Sequence, residues 1–458
     1  MTGIRAAALL ITALLPLAAA GPGPAPADQA RHVAVRPLHT LPAGRAVLVQ
    51  PPDTATCEGV LRIACYRPAQ LQRAYQAESL HAMGLDGRGR TIVVVVAFGS
   101  PTIAADLRQF DGAFGMPDPP SLRVIAPAGT PPPFDAANPD MAAWAEETTL
   151  DVEAAHLMAP GAGILVVTTP VSETEGLQGF PEIEAAEQYV LDHDLGDVIS
   201  QSFGATEQTF PSPASIMGLR SPFESARQHG VTVLAASGDN GATDPFLDGS
   251  CCYPDAVVSW PSSDPLVTSV GGTQLHLDAS GRRVAPDSVW NDRLADLLGD
   301  ASSDPTTAGA AGGGRSAVFP RPDFQAGVAG ATGPTRGVPD VSLSAAQDGA
   351  MIVYWSFDGQ PGYHLIGGTS EAAPLFAGLV AIADEIRGGR VGWIDPALYR
   401  MGAGMTDVTA GDNHYTFADG QGRAVTVPGY RAAAGYDLAS GLGTVDAALF
   451  CPLLAREA

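Results

Sequence analysis

Residues 142–169 read AAWAEETTLDVEAAHLMAPGAGILVVTT, a helical stretch that passes through Pro160-Gly161 into an apolar run. The run GILVVTT (163–169) has no charged interruption, which is the pattern of a strand buried on both faces. Similar runs recur at TIVVVVAF (91–98), DVISQSF (197–203) and VTVLAAS (231–237). Between them lie further helical stretches, PEIEAAEQYVLDH (181–193) and SPFESARQHG (221–230). Strands alternating with helices predict an α/β fold, a central parallel β-sheet with helices on both faces. The pattern begins near Tyr66, and one domain is expected from 57 to 458. Residues 292–314, DRLADLLGDASSDPTTAGAAGGG, interrupt it as a low-complexity surface loop.

The N-terminus carries a different message. Arg5, the apolar Ala6 to Leu17 and the small residues Ala18-Ala19-Ala20 have the layout of a secretion signal over residues 1–20. Its apolar stretch is too short, and contains Pro16, for a bilayer span. Residues 21–56 are rich in Pro and Ala and read as a leader or extended arm. A net charge of −24 argues against nucleic acid and anionic membranes as partners. Five cysteines suit an oxidising compartment. The expected pairs are Cys57 with Cys65, and Cys451 with either Cys251 or Cys252. No zinc-type spacing of Cys and His occurs.

Ser370 in GGTSEAAP (367–374) sits between a glycine-rich turn and a helical run, a natural place for a nucleophile. A serine hydroxyl needs a base. None of the nine histidines has the flanks of a catalytic base, and His156 reads as a surface or satisfied core residue. Glu147 and Asp151, four apart in EETTLD, share one helix face. Two such carboxylates resist joint ionisation, so one can serve as a general base or acid. His156, nine residues beyond Glu147, falls roughly 180° away around the helix. The competing reading is a solvated acidic face made by Glu146, Glu147, Asp151 and Glu153. Asp239, in the glycine-flanked turn after VTVLAAS, is either an oxyanion group at a strand's C-terminal end or a plain turn residue.

Eight stretches in order give the chain a family resemblance. They are CYRPAQLQRAYQ (65–76), ETTLDVEAAHLMAPGA (147–162), SQSFGATE (200–207), AASGDNGAT (235–243), WPSSDPLVTSVGGTQL (260–275), RGVPDVSLSA (336–345), GGTSEAAPLFAGLVA (367–381) and AGYDLASGLG (434–443). The chain resembles the sedolisins, serine-carboxyl peptidases with a subtilisin-like fold. The resemblance implies Ser370 as nucleophile, Glu147 as general base and then acid, Asp151 as its partner, and protonated Asp239 as the oxyanion group. It further implies acid-side activity, lost as Asp239 ionises, on protein or peptide substrates, by a secreted monomer. Cleavage could be internal or remove tripeptides. Pro374 is expected early in the helix after Ser370, where its missing N–H costs nothing.

The resemblance also implies one Ca²⁺ near the C-terminus. Asp407 and Asp437 would offer side chains, and Val408, Ala433 and Gly435 carbonyls, with a β-hairpin excursion over 411–432. Ser202, Phe203 and Gly204, and Gly312 to Gly314, are either peptide-binding edges or structural turns. Two departures stand out. Residues 21–56 are too few for the large folded pro-domain usual in this family, and Glu371 replaces a small residue beside the nucleophile. The rival reading is a secreted, catalytically silent binding protein on a peptidase scaffold.

Overall fold

The apolar runs form the middle of one twisted sheet. In the computed structural model, which describes residues 47–173, 175–298 and 305–458, eight strands make it up. They are β1 (Thr91–Ala97), β2 (Leu122–Ile125), β3 (Gly163–Thr169), β4 (Val198–Gln201), β5 (Thr232–Ala236), β6 (Thr268–Gln274), β7 (Ser288–Val289) and β8 (Val341–Ser344). Their order is β7-β6-β5-β4-β1-β3-β2, with β8 also paired to β6. All pairings are parallel except the short β7, which is antiparallel to β6. Every residue from Ile92 to Ala97 is buried. That explains why the sequence there shows no polar alternation.

Flanking helices are α1 (Ile103–Phe114), α2 (Pro139–Met158), α3 (Phe180–Asp192), α4 (Ser221–His229), α5 (Thr369–Arg387) and α6 (Ala447–Glu457). Helix α2 starts where Asn138 accepts the N–H groups of Asp140 and Met141, with Pro139 in the first turn. Helices α1, α4 and α5 end on Gly115, Gly230 and Gly388 with left-handed φ. Helices α2 and α5 pack on each other. A Cβ on Gly378 of α5 would lie 2.7 Å from that of Met158 and 3.1 Å from the Ala155 carbonyl, so glycine is what permits this approach.

The described residues belong to one compact unit. Residues 47–53, read from sequence as part of the leader, touch its body. Leu48 exchanges both backbone hydrogen bonds with Tyr363 (3.0 and 2.7 Å), and the Arg67 guanidinium donates to the carbonyls of Pro51 and Pro52. The secretion signal and residues 21–46 lie outside the described residues. No helix among the described residues is long and apolar enough to cross a membrane.

Three expectations are corrected. The 292–314 stretch is not all loop. Asn291–Arg293 and Thr307–Ala310 pair as antiparallel strands, because small residues let them close over the Trp290 ring. Cys57 and Cys65 are bonded as expected, but Cys251 is bonded to Cys252 and Cys451 is a buried free thiol. Cys451 lies on α6 in the main core, its Sγ 3.4 Å from the Leu379 carbonyl, whereas Cys252 packs with Tyr415 and Phe417 in a separate cluster. Pro374 is the sixth residue of α5. Its missing N–H therefore removes the bond that the Ser370 carbonyl would otherwise accept.

Candidate active site

The acidic face of α2 is not solvated. Glu146, Glu147, Asp151 and Glu153 are all buried, since α2 lies against the sheet, α5 and α1 together. Asp151 is held well above the usual carboxylate range, first by burial and then by the charge of Glu147, to which it hydrogen-bonds. The Ser202 hydroxyl opposes this by donating to Asp151 Oδ1 at 2.7 Å. Glu153 is likewise raised by burial, but its carboxylate turns away from this pair to accept the Tyr354 N–H at 3.0 Å.

Ser370 is the second residue of α5, fully buried, and its Oγ donates to the Ser202 carbonyl at 3.4 Å. Ser202 therefore joins Asp151 to Ser370, through its hydroxyl on one side and its carbonyl on the other. This link and the Gly378 contact with Ala155 and Met158 lie in the same sequence order on both helices. Helices α2 and α5 thus run in parallel, with Ser370 at the start of α5 and the Glu147–Asp151 pair around the middle of α2. A strand-end residue that binds two helices is invisible to linear spacing. In sequence, Ser202 reads only as a peptide-binding edge or a structural turn.

Asp239 follows β5, at the C-terminal ends of the strands. Its Oδ1 accepts both the N–H and the hydroxyl of Thr369, each at 2.8 Å, while Gly238 N–H donates to the Thr369 hydroxyl at 3.1 Å. Thr369 precedes Ser370, so this turn and the start of α5 are one rigid piece. The strands Ala350–Trp355 and Gly362–Ile366 form an antiparallel hairpin, which delivers Gly367 and Gly368 to that point. Gly368, at φ +121°, takes a backbone conformation that a side chain would strain. The four candidates thus fall into two hydrogen-bonded groups, Glu147–Asp151–Ser202–Ser370 and Thr369–Asp239, joined by the peptide bond between Thr369 and Ser370.

Other residues settle elsewhere. His156 is core, its Nε2 2.9 Å from the Pro117 carbonyl and 3.2 Å from the Asp111 carboxylate. Phe203 packs between Trp144 and Phe180, at centroid distances of 6.3 and 6.4 Å. A Cβ on Gly204 would meet the Trp260 carbonyl at 3.1 Å. Gly312 donates to the Gly238 carbonyl at 2.7 Å, and Gly312 to Gly314 are buried. Both glycine stretches serve close backbone packing. Glu371 is fully buried on α5, and burial pushes its carboxyl up to about 8. The Ser344 hydroxyl and the Met351 backbone favour its ionised form slightly, but no well-aligned hydrogen bond reaches either oxygen.

The expected cation ligands converge on one loop. Asp407 Oδ2 accepts the Gly435 N–H and Asp437 Oδ2 the Ala433 N–H, each at 2.8 Å. Asp437 Oδ1 accepts from Ala439 and Ser440, and the Val408 carbonyl accepts from the Ser440 hydroxyl. Asp437 is buried, which raises its carboxyl above the ordinary value. Two carboxylates with carbonyl oxygens and no nitrogen or sulfur form a donor set that fits a hard cation. Among the described residues no group of three or more His, Cys, Asp and Glu is arranged to hold a metal. The 411–432 excursion contains the expected hairpin, β-strands Tyr415–Ala418 and Ala424–Val427.

Comparison with known proteins places this architecture. The model of the subtilase family matches residues 136–388. Kumamolisin of Bacillus sp. (strain MN-32) is 34% identical over 387 residues, covering 83% of this chain and 62% of that protein. Human tripeptidyl-peptidase 1 is 30% identical over 322 residues, covering 65% and 50%. The chain thus spans between half and two thirds of these curated relatives. The solved structure of Pseudomonas sedolisin, a serine-carboxyl proteinase complexed with pseudo-iodotyrostatin, superposes with a TM-score of 0.67 at 26% identity, covering 84% of this chain and 96% of that one. The family model covers more than half of the chain and takes in both α2 and α5: the chain belongs to the subtilase family, among homologues of sedolisin and kumamolisin.

Proposed function

We propose that this protein is a secreted, acid-acting serine-type peptidase working through Ser370, Glu147, Asp151 and Asp239. The observation that carries the reading is the buried path from Glu147 through Asp151 and Ser202 to Ser370. Glu147 takes the Ser370 proton as Oγ attacks the scissile carbonyl carbon. A tetrahedral intermediate forms, its oxyanion accepting hydrogen bonds from protonated Asp239 and from the backbone at the start of α5. Glu147 then returns the proton to the leaving amine, the C–N bond breaks, and an acyl-enzyme remains. Water repeats the cycle to release the acid. Asp151 holds its proton by burial, so it can donate to Glu147 and fix that carboxyl's orientation. The scheme needs protonated carboxyls and therefore runs in acid.

Substrates are proteins or peptides. Cleavage inside chains and removal of tripeptides both suit this chemistry, and relatives of the second kind include tripeptidyl-peptidase 1. In the cation loop, Asp407 and Asp437 with the carbonyls of Val408, Ala433 and Gly435 would hold one Ca²⁺. The two carboxylates would find there a counter-charge that ties the ends of the 411–432 excursion together. The test is hydrolysis of denatured protein at about pH 4 by the parent, Ser370→Ala and Glu147→Gln. Both variants should fold and lose at least about 10³-fold in kcat. Full activity in either would remove that residue from the scheme. Full activity in both would defeat the scheme, and a folded parent without hydrolysis would favour the silent binding protein.

A further inference from the structure

The sequence GDNHY (411–415) has no part in the scheme above, yet its asparagine is among the most fully bonded residues near the site. Asn413 has no exposed surface. Its Oδ1 accepts the Tyr430 N–H at 2.8 Å, and its Nδ2 donates to the carbonyls of Ala311 (3.1 Å) and Gly313 (3.2 Å). Its backbone N–H donates to the Tyr430 carbonyl at 3.1 Å, and its carbonyl accepts the Ala242 N–H at 2.9 Å. One residue thus holds three separate stretches of chain together, at 242, 311–313 and 430.

Two of these stretches build the Asp239 turn. Ala310 N–H donates to the Asp239 carbonyl (2.9 Å), Gly312 N–H to the Gly238 carbonyl (2.7 Å) and Gly241 N–H to the Ala310 carbonyl (2.9 Å). The Ser237 hydroxyl adds a bond to the Gly312 carbonyl at 2.7 Å. The lattice leaves no slack. A Cβ on Gly312 would stand 2.2 Å from the Ser237 carbonyl oxygen, and one on Gly241 2.5 Å from the Asn413 carbonyl oxygen. Asp239 is thus fixed from both sides. Its carboxylate is held by Thr369, and its backbone by a lattice that Asn413 closes from outside.

We infer that Asn413 is a positioning residue, which sets where the Asp239 carboxyl stands relative to Ser370. The inference rests on the proposed function, since it assigns Asp239 the developing oxyanion. Asn413 touches none of the reacting atoms. Because the oxyanion exists only during reaction, a shift of Asp239 weakens the transition state and leaves ground-state substrate binding alone. A displacement of about 1 Å suffices for a loss on the order of 100-fold.

The test compares the full chain with Asn413→Ala, Asn413→Asp and Gly241→Ala, which pushes on the same contact from the opposite side. Hydrolysis of a peptide substrate is followed at about pH 4, and folded fraction by circular dichroism. Asn413→Ala and Gly241→Ala should each lower kcat per folded molecule by roughly 10- to 100-fold with KM within about twofold. Asn413→Asp, able to donate one hydrogen bond while protonated, should recover part of that loss at low pH and lose it as pH rises. Arg423→Ala, at the exposed hairpin tip, should match the parent. Unchanged kcat per folded molecule in Asn413→Ala overturns the inference, as does an activity loss that only tracks unfolding. Should Asn413→Ala not fold, Gly241→Ala decides by the same criterion. Ser370→Ala separates the two levels. If it keeps parental activity, the proposed function fails; if it is inactive while Asn413→Ala is normal, only the role of Asn413 fails.

Discussion

Replacing Glu371 by Gln should make the protein more stable at neutral pH and leave it little changed in acid. Glu371 is fully buried, with burial raising its carboxyl from an ordinary 4.5 to about 8. A carboxyl raised in the folded state binds its proton more tightly there than in the unfolded chain. Its contribution is therefore complete below 4.5 and lost as pH rises toward 8. About 2.5 units of that window lie below pH 7. At about 1.4 kcal/mol per unit, the parent loses about 3 kcal/mol through this one group between pH 4 and pH 7. Glutamine resembles the protonated acid in shape and cannot ionise. Glu371→Gln should match the parent within about 1 kcal/mol at pH 4 and exceed it by about 3 kcal/mol at pH 7. Urea denaturation at pH 4, 5.5 and 7 measures this, in a Ser370→Ala background to exclude self-digestion. Parallel stability curves across that range would refute the argument, because they would mean that Glu371 ionises in the folded protein without cost.

Other consequences are simpler to check. Gly378→Ala forces apart α2 and α5, because its Cβ would meet that of Met158 at 2.7 Å; thermal denaturation should show a loss of about 1–3 kcal/mol. Arg336 and Asp340 form a fully buried ion pair; Arg336→Ala strands the Asp340 charge and should cost about 3–5 kcal/mol. Replacing both Cys57 and Cys65 by Ser opens a loop with a sequence separation of 8 and should lower stability by about 2–3 kcal/mol in denaturant titrations. If the Asp407–Asp437 loop holds Ca²⁺, a chelator should lower the melting temperature of the parent but not that of Asp437→Asn.

The sheet was legible because each central strand is an uninterrupted apolar run, and only burial on both faces requires that. The candidate site residues stood out for a different reason. A carboxylate pair one helical turn apart, a serine at a helix start and an aspartate in a glycine-flanked turn each have local signatures. What stayed hidden depends on distant chain. Whether the acids of α2 meet water is decided by α5, more than 200 residues later. The link through Ser202 needs β4 to end between two helices, and Asn413 acts only because an excursion folds back on the Asp239 turn. Cysteine pairing failed likewise, since Cys451 and Cys252 are equally apolar in sequence but belong to different clusters.

The Leu48–Tyr363 pairing sets a limit on processing of the chain. Tyr363 belongs to the strand that ends at Gly367 and Gly368, so the segment around Leu48 braces the hairpin that presents Ser370. Arg67 grips the same segment at Pro51 and Pro52, immediately before Asp53 caps the helix Thr54–Val60. A cut upstream of Leu48 would leave all of these contacts in place. A cut a few residues later would remove this brace from the hairpin that leads into Ser370, so the start of α5 would lose a support that no other part of the 47–53 segment supplies.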